Sequence, residues 1–296
     1  MISITGIFSK LRRSPHLAAV SDFPPILAGA TLAQDYPQLP IMVNLATCFI
    51  LWWRAKNRVV YRLAPDTADW LRTVNLTFIP ETPPTGWTNN TIIIESLDKS
   101  SMVNGAWSIA TYHLPDLQGQ PRYYFCYLIG EDAYSFSIYA NLGDLNARLI
   151  DAGRFLAADI LQESGGRFFV EPLPAEQQQH LLDIVKFVFA ASYFSTMPRE
   201  RLAVTRQDGP PARNDRGKVI KNRGKIIPQW TYQNLRYVPS PLGEPRGPLD
   251  KTDLTLEPVI VRPYLRRTKT GKVVFVESHD SHRWKAPERV GKKIVL

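Results

Sequence analysis

The sequence predicts an α+β fold: an antiparallel meander sheet packed with helices, followed by an extended basic C-terminal arm that ends in a β-hairpin. Residues 91–141 contain four short runs of aromatic and β-branched residues separated by Pro, Asp and Gly, a pattern typical of consecutive strands. Apolar residues at helical spacing occur on either side, at 41–56 and 175–195. After Met197 the content of Pro, Gly and cations rises. These observations divide the chain into a body (1–197), a Pro/Gly-rich basic arm or linker (198–256) and a basic β-hairpin with a tail (257–296).

Charge is distributed unevenly along the chain. The 296 residues carry a net charge of +9 and are 44% hydrophobic and 21% charged, which is typical of a globular protein. Residues 198–296 hold 22 Lys and Arg against 10 Asp and Glu, a net of +12, whereas residues 1–197 hold 14 against 17, a net of −3. This asymmetry predicts a polyanionic partner, with nucleic acid favoured over an anionic membrane surface. The alternative is a basic surface that is only solvated.

The cysteines and the N-terminal residues predict a cytoplasmic protein. Cys48 and Cys126 lie in separate apolar runs without motif spacing, which favours buried thiols in a reducing compartment over a disulfide or a metal site. The cluster Lys10-Leu11-Arg12-Arg13 follows the N-terminal apolar patches, which is the reverse of the order in a secretory signal. The longest apolar stretch, residues 41–53, is interrupted and too short to span a bilayer.

The first ninety residues predict helices and one strand. Residues 26–36 predict a short helix that ends before Pro37, and residues 41–56 predict a helix that is apolar on most sides and therefore buried. Val59–Leu63 predicts a strand, and a helix capped by Asp66 or Thr67 follows it.

The four runs that follow predict the meander. Strands are expected at 91–97, 107–114, 123–129 and 134–141, and their short connections require antiparallel neighbours. The aromatic run at 123–127 invites comparison with platforms that stack bases. We favour a buried central strand, because no Lys or Arg occurs between Arg122 and Arg148.

Two further helices are expected after the meander. Residues 145–162 predict an amphipathic helix, and residues 168–170 a short strand. The helix at 175–195 is apolar nearly all round in its second half, which predicts burial against the sheet.

The arm contains a near-repeat of Arg-Gly-Lys followed by an apolar pair. It reads Arg216-Gly217-Lys218-Val219-Ile220 and then Arg223-Gly224-Lys225-Ile226-Ile227. Trp230, Tyr232 and Tyr237 follow, so that basic and aromatic residues interleave as they do where proteins grip unpaired nucleic acid. The alternative is a charged surface hairpin whose aromatic residues pack onto the body.

The C-terminal residues predict a β-hairpin with a basic turn. The stretch Val261-Arg262-Pro263-Tyr264-Leu265-Arg266-Arg267 leads through a turn at Thr270-Gly271 into residues 273–276. This hairpin, residues 261–276, resembles the C-terminal tails of uncharacterised phage and mobile-element proteins, in which Val-Arg-x-His-x-Arg-Arg precedes a short strand and a polar loop. Tyr264 stands where those tails often have His. The resemblance implies an origin on a mobile element or phage and brings no activity with it.

Catalytic motifs are weak throughout the sequence. His279 and His282 enclose Asp280, but a zinc site needs a third and usually a fourth ligand. In a metal-free ribonuclease, His282 could act as base beside Arg283 and Lys285. We favour polar loop histidines, and the sequence contains neither a phosphate-binding Gly-rich loop nor a Gly-x-Ser-x-Gly elbow. No cofactor and no metal are expected.

The sequence therefore favours a non-enzymatic cytoplasmic protein that binds nucleic acid or a nucleoprotein through its basic C-terminal third. One alternative is an effector or inhibitor that docks on an acidic protein, and another is an RNase-like toxin that uses His279 and His282. The predicted contact residues are Arg216, Lys218, Lys221, Arg223, Lys225, Trp230, Tyr232, Arg262, Arg266, Arg267, Lys269, Lys272 and Arg283.

Overall fold

The structure is a computed structural model, and it combines helices with one large sheet and three small ones. It describes residues 3–34, 42–76, 80, 82–115, 119–130, 132–139, 175–197, 202–214, 217–238, 257–261, 264–267, 273–276 and 279–283. The helix predicted over 145–162 and the strand predicted over 168–170 lie outside these residues. The described residues form five helices: α1 (Ile4–Leu11), α2 (Pro25–Ala33), α3 (Met42–Trp53), α4 (Pro65–Arg72) and α5 (Ala175–Phe194). The strands are β1 (Val59–Leu63), β2 (Thr91–Ser96), β3 (Ala106–Pro115), β4 (Pro121–Ile129), β5 (Asp132–Tyr139), β6 (Leu202–Asp208), β7 (Lys221–Asn222), β8 (Lys225–Ile226), β9 (Thr231–Tyr237), β10 (Glu257–Val261), β11 (Tyr264–Arg267), β12 (Val273–Val276) and β13 (His279–Arg283).

Seven strands form one mixed sheet in the order β5-β4-β3-β2-β1-β9-β6. Strands β2 to β5 pair antiparallel with their successive neighbours, and β6 pairs antiparallel with β9. Strand β1 pairs parallel with β2 on one side and with β9 on the other. The α+β class is thus confirmed, but the sheet as a whole is mixed rather than antiparallel. The physical reason is that the chain passes through α4 between β1 and β2, and a crossover of this kind returns the next strand in the same direction.

Both faces of the sheet are buried at its central strands β2, β3 and β4, where successive residues point to opposite faces. On β2, Ile92 and Ile94 belong to one apolar core and Ile93 to the other. Helices α1, α2 and α3 cover the Ile93 face, where Phe8 packs on Phe49 and Trp52 at centroid distances of 5.3 and 5.5 Å. The sheet therefore lies between two helical layers.

The second layer consists of α4 and α5. The apolar second half of α5 buries Val185, Phe189 and Phe194 against the sheet. Phe189 lies 5.0 Å from Tyr123 in an edge-to-face arrangement. Tyr123, Phe125 and Tyr127 of the aromatic run are thereby part of the core on this side.

A buried carboxylate anchors α1 on the sheet. Glu95 of β2 is 3% exposed and accepts hydrogen bonds from the backbone N–H and the hydroxyl of Thr5, at 3.2 and 2.8 Å. Arg62 Nε lies 3.8 Å from the same carboxylate. A negative charge at a helix N-terminus is favourable, so α1 is held at its start and its last turn reaches Arg12 and Arg13.

The segment predicted as a basic arm contributes two strands to the main sheet. Strand β9 lies between β1 and β6, pairing with β6 along its whole length and with β1 over residues 231–235, where Val60 is opposite Tyr232 and Leu63 opposite Leu235. Residues 202–208 and 231–237 are therefore not an extended arm over the body, in contrast to the prediction. The prediction missed them because β6 is exposed on both faces after Leu202, so its sequence has no alternation of apolar and polar residues.

Four C-terminal strands form two small ladders. Strand β11 pairs antiparallel with β12, and β10 pairs antiparallel with β13. Leu265 of β11 is 2% exposed within the core of the α4–α5 layer, and its backbone N–H donates to the carbonyl of Asn75 at 3.2 Å. This part of the chain is thus attached to the main fold through Leu265.

Candidate nucleic-acid interface

The chain leaves the main sheet between β6 and β9 and returns after residues 209–230, which we call the excursion. Six of its residues are Lys or Arg and one is Asp. Its ends are joined at the sheet, since the Gly209 N–H donates to the Trp230 carbonyl at 2.9 Å and the Gln229 N–H to the Pro210 carbonyl at 2.7 Å. These bonds form the base of the excursion.

Both copies of the Arg-Gly-Lys repeat lie at turns. Gly217 and Gly224 have φ of +75° and +80°, in the left-handed region where glycine is favoured. Gly217 lies in the loop between Arg213 and Val219, which form an isolated β-bridge, and its N–H donates to the Asn214 carbonyl. Gly224 completes the two-residue turn that joins β7 to β8. The repeat thus folds into two consecutive tight turns.

The second turn ends a short β-ribbon. Lys221 pairs with Ile226 and Asn222 with Lys225, and the Ile227 N–H donates to the Ile220 carbonyl at 3.1 Å. We call residues 220–227 the tip of the excursion. The backbone of the tip is therefore hydrogen-bonded to itself and does not depend on a partner for its shape.

Trp230 and Tyr232 occupy the core, so the structure does not support the base-stacking role predicted for them. Trp230 is 4% exposed and packs on Trp52 at a centroid distance of 5.6 Å, and Tyr232 is 9% exposed. The Arg62 guanidinium carbon lies 3.4 Å from the centroid of the Tyr232 ring. Neither ring offers a free face on which a base could stack.

Arg58 fastens the excursion to the end of α3. Its Nε donates to the Trp53 carbonyl at 2.9 Å and its NH1 to the Gln229 carbonyl at 3.2 Å, while its guanidinium carbon lies 4.0 Å from the Trp53 ring centroid. Burial, and then the nearby charge of Arg12, lower the pKa of Arg58. Arg58 has a structural role at the base, although it is also a cation.

The predicted cations of the excursion that the structure describes are exposed. Lys218 precedes the tip, Lys221 and Lys225 lie on the ribbon, and Arg223 forms its turn with φ of +48°. Among the described residues, none of these four side chains is within ion-pair distance of a carboxylate. Arg216, the fifth predicted cation of this segment, lies outside the described residues.

The structure places N-terminal arginines at this site, which the sequence did not predict. Arg12 NH2 donates to the Arg213 carbonyl at 3.1 Å, and the Arg12 guanidinium carbon lies 5.3 Å from the Trp53 ring centroid. Burial, followed by the charges of Arg13 and Arg213, lowers the pKa of Arg12. Arg12 therefore lies near three other arginines at the base of the excursion: Arg13, Arg58 and Arg213.

The sequence shows these N-terminal arginines as a cluster, but the cluster alone does not indicate a binding site. The cluster Lys10-Leu11-Arg12-Arg13 served only to argue against a secretory signal, because nothing local connects it with residue 213. The anchoring of α1 through Glu95 and the bond from Arg12 to the Arg213 carbonyl create that connection in the fold.

The predicted C-terminal contact residues are described less fully. Arg266 is half-buried on β11. Arg267 and Arg283 lie on β11 and β13, where the structure describes their backbone pairing with Val273 and Glu257. Arg262, Lys269 and Lys272 lie outside the described residues.

Potential metal ligands do not cluster within the described part of the chain. No set of three or more His, Cys, Asp or Glu in that part is placed to hold a metal ion. His279 and His282 pair through their backbones with Val261 and Pro258. Cys48 and Cys126 are free and buried, and burial raises the pKa of both thiols, so neither is activated as a nucleophile.

Two comparisons with known proteins give no match for this chain. No protein-family model matches the chain, and a search of curated proteins gives no match either. No described helix has the length and apolar character needed to cross a membrane. The functional interpretation therefore depends on the residues of the excursion and the arginines at its base.

Proposed function

We propose that this protein is a non-enzymatic binding protein that contacts nucleic acid, or a nucleoprotein, through the tip of the excursion and the adjoining N-terminal arginines. The observation that carries the proposal is a set of exposed cations that have no carboxylate partner among the described residues and that lie on or beside a hydrogen-bonded ribbon anchored in the core at its base. Lys218, Lys221, Arg223 and Lys225 belong to this set.

The electrostatics of the base supports an anionic partner. The positive charge of Arg12 lies near those of Arg13, Arg58 and Arg213, and like charges disfavour one another. Within the described part of the chain, none of the four is within ion-pair distance of a carboxylate. A phosphate placed among them would relieve this repulsion and accept charge-assisted hydrogen bonds from the guanidinium groups. Nucleic acid supplies phosphates at regular spacing, so that base and tip can be engaged together.

The order of the ribbon also supports recognition of a fixed partner. A disordered basic arm would lose conformational entropy on binding, whereas the two turns at Gly217 and Gly224 already fix the positions of the tip cations. The contacts expected are with phosphate oxygens, which position a protein without reading sequence. Binding should therefore depend more on salt than on base sequence.

The compartment and the origin of the protein are inferred from other features. The two free buried cysteines agree with a reducing cytoplasm, and the likeness of residues 261–276 to tails of phage and mobile-element proteins favours a protein of that origin.

The test compares two triple variants of the full chain that lose the same charge. Lys221→Gln/Arg223→Gln/Lys225→Gln removes three cations from the tip, and Lys99→Gln/Arg72→Gln/Lys186→Gln removes three cations from elsewhere on the surface. Affinity for a labelled oligonucleotide is measured by fluorescence anisotropy at low salt. We expect the tip variant to bind at least about tenfold more weakly and the control to stay close to the wild type.

Two results would contradict the proposal. One is a wild-type protein that binds neither duplex nor single-stranded nucleic acid at low salt. The other is an equal loss in the two variants, which would mean that only the net charge matters. Capture of one acidic protein that survives nuclease treatment would favour the alternative of a protein partner.

A further inference from the structure

Three isoleucines on the tip are exposed to solvent. The exposed fractions are 39% for Ile220, 55% for Ile226 and 38% for Ile227. Phosphate contacts alone do not require aliphatic residues at these positions, since polar β-formers would keep the ribbon and avoid the cost of hydrating apolar surface. The isoleucines therefore need a role of their own.

The pairing of the ribbon places an aliphatic group and a cation on each face. Residues that are opposite in an antiparallel pair lie on the same face, and the faces alternate along the strand. Lys221 and Ile226 are opposite and share one face. Ile220 and Ile227 share the other face with Lys225, which lies two residues from Ile227 on the same strand.

The length of the tip matches the depth of a groove of duplex DNA. Three residue pairs at about 3.3 Å per residue give a ribbon that extends roughly 10 Å. The grooves of B-form DNA are about 8 Å deep, so the tip can reach the base edges while its flanking cations remain near the phosphates.

The burial of the aromatic rings argues against single strands as the main ligand. Binding of unpaired bases relies on exposed aromatic faces, and the rings of Trp230 and Tyr232 are covered by the core. An aliphatic side chain offers no stacking face, but it can be inserted between two stacked base pairs.

We infer that the ligand of the excursion is duplex DNA, and that the tip enters its minor groove, where Ile226 wedges between base pairs and bends the duplex. This inference rests on the proposed function and makes it more specific. Lys221, Arg223 and Lys225 hold the phosphates on the two sides of the groove, and insertion of the most exposed isoleucine unstacks one base step. Wedges of this kind bend DNA by roughly 20–90° toward the major groove.

The experiment measures binding and bending separately on one duplex. A duplex of about 30 base pairs carries a donor and an acceptor fluorophore at its two ends, and energy transfer is recorded as the full-length protein is added to saturation. Anisotropy of the same duplex gives the affinity. The variants are Ile226→Ser, which keeps all cations, and Leu27→Ser, which removes a comparably exposed aliphatic group from α2, where Leu27 is 52% exposed.

The wild type and Leu27→Ser should raise energy transfer to the same extent. Ile226→Ser should lose at least half of that rise while its affinity changes by less than about fivefold, because the phosphate contacts remain. Thermal melting of each variant checks that it is folded.

Each contrary result has a different meaning. Binding without a change in energy transfer, equal bending by Ile226→Ser, or a clear preference for single strands would overturn this inference and leave the proposed function standing. Failure of the wild type to bind any nucleic acid, whether or not it binds vesicles that contain phosphatidylserine, would overturn both.

Discussion

The base and the tip of the excursion contain the same kinds of residue but use them in opposite ways. At the base, Trp230 is buried against Trp52, and Arg58 donates hydrogen bonds to backbone carbonyls. At the tip, Ile226 is exposed and Arg223 lies at a turn without a carboxylate partner among the described residues. The difference teaches that interleaved basic and aromatic residues do not by themselves define a binding surface: burial separates the residues that fix the fold from those that can touch a ligand.

The base also shows how closely the two chain segments approach. A Cβ on Gly209 would lie 2.7 Å from the Trp230 carbonyl oxygen and 2.9 Å from its indole nitrogen. No side chain fits at this position without displacing backbone. Changes at Gly209 and Trp230 should therefore reduce stability, and changes at the tip should reduce binding.

The largest expected effect is on the stability of the base. Trp230→Ala should lower the free energy of unfolding by about 3–5 kcal/mol, because it empties a large volume in the core. Trp230→Phe is the matched control: the indole N–H has no acceptor among the described residues, so its removal leaves no lost bond. Urea denaturation followed by far-UV circular dichroism measures both. A mild effect of Trp230→Ala would mean that the ring is not part of the core.

Arg58 tests whether a cation at the base is structural. Arg58→Ala should cost about 1.5–3 kcal/mol of stability, because two backbone carbonyls lose a charged donor. Arg58→Lys keeps the charge but cannot reproduce the planar fork, so it should recover only part of the loss. The denaturation midpoints of the two variants measure this loss of stability. A midpoint of Arg58→Ala equal to that of the wild type would contradict a structural role and assign Arg58 to the binding surface instead.

Lowering the pH should decrease the stability of the fold, because the sheet carries a half-buried histidine. The tip contains no histidine. His113 of β3 is half-buried, 4.6 Å from the Tyr123 ring centroid, and burial lowers its pKa from 6.5. The unfolded chain therefore binds the proton more tightly, so stability is highest above about pH 6.5 and falls as the pH decreases below it, by at most about 1.4 kcal/mol per pH unit.

The measurement is a series of urea denaturations between pH 5 and 8 with the wild type and His113→Gln. The variant should lose part of the decrease that the wild type shows on acidification. Identical pH dependence in the two proteins would show that His113 is not the group responsible.

The smallest expected effect is at the turn of the tip. Gly224→Ala forces a side chain into a conformation with φ of +80°, which costs about 1 kcal/mol, although no atom lies within 4 Å of the added Cβ. We expect a slight loss of global stability and a clear loss of amide protection in the tip, measured by hydrogen exchange. Unchanged protection in the variant would mean that the turn does not order the ribbon.

Local sequence was sufficient for the strands from β2 to β5 and insufficient for β6 and β9 and for the pairing of distant strands. The strands from β2 to β5 were predicted within two residues at each end, because short connections and β-branched runs are local signals. The parallel pairing of β1 with β9 was not predictable in this way, since it joins Val59 to Thr231 across most of the chain and no local pattern encodes it.

Prediction of the candidate site from the sequence has the same limit. Exposure of Lys221 and Lys225 agrees with their charge, but the burial of Trp230 and Tyr232 follows from the insertion of β9 beside β1. Arg12 reaches the excursion only because Glu95 anchors α1. Composition therefore located the cations of the excursion, and only the fold revealed which aromatic residues were unavailable and which distant arginines join them.

The most direct test of the account is the salt dependence of nucleic-acid binding by the wild type and by Lys221→Gln/Arg223→Gln/Lys225→Gln. If about six cations engage phosphates, the logarithm of the wild-type affinity should fall with the logarithm of salt concentration at a slope of about −4 to −5. Loss of three contacts should make the slope shallower by about 2–3. The same slope in both proteins, or wild-type binding that salt does not weaken, would contradict the assignment of the tip as the nucleic-acid contact.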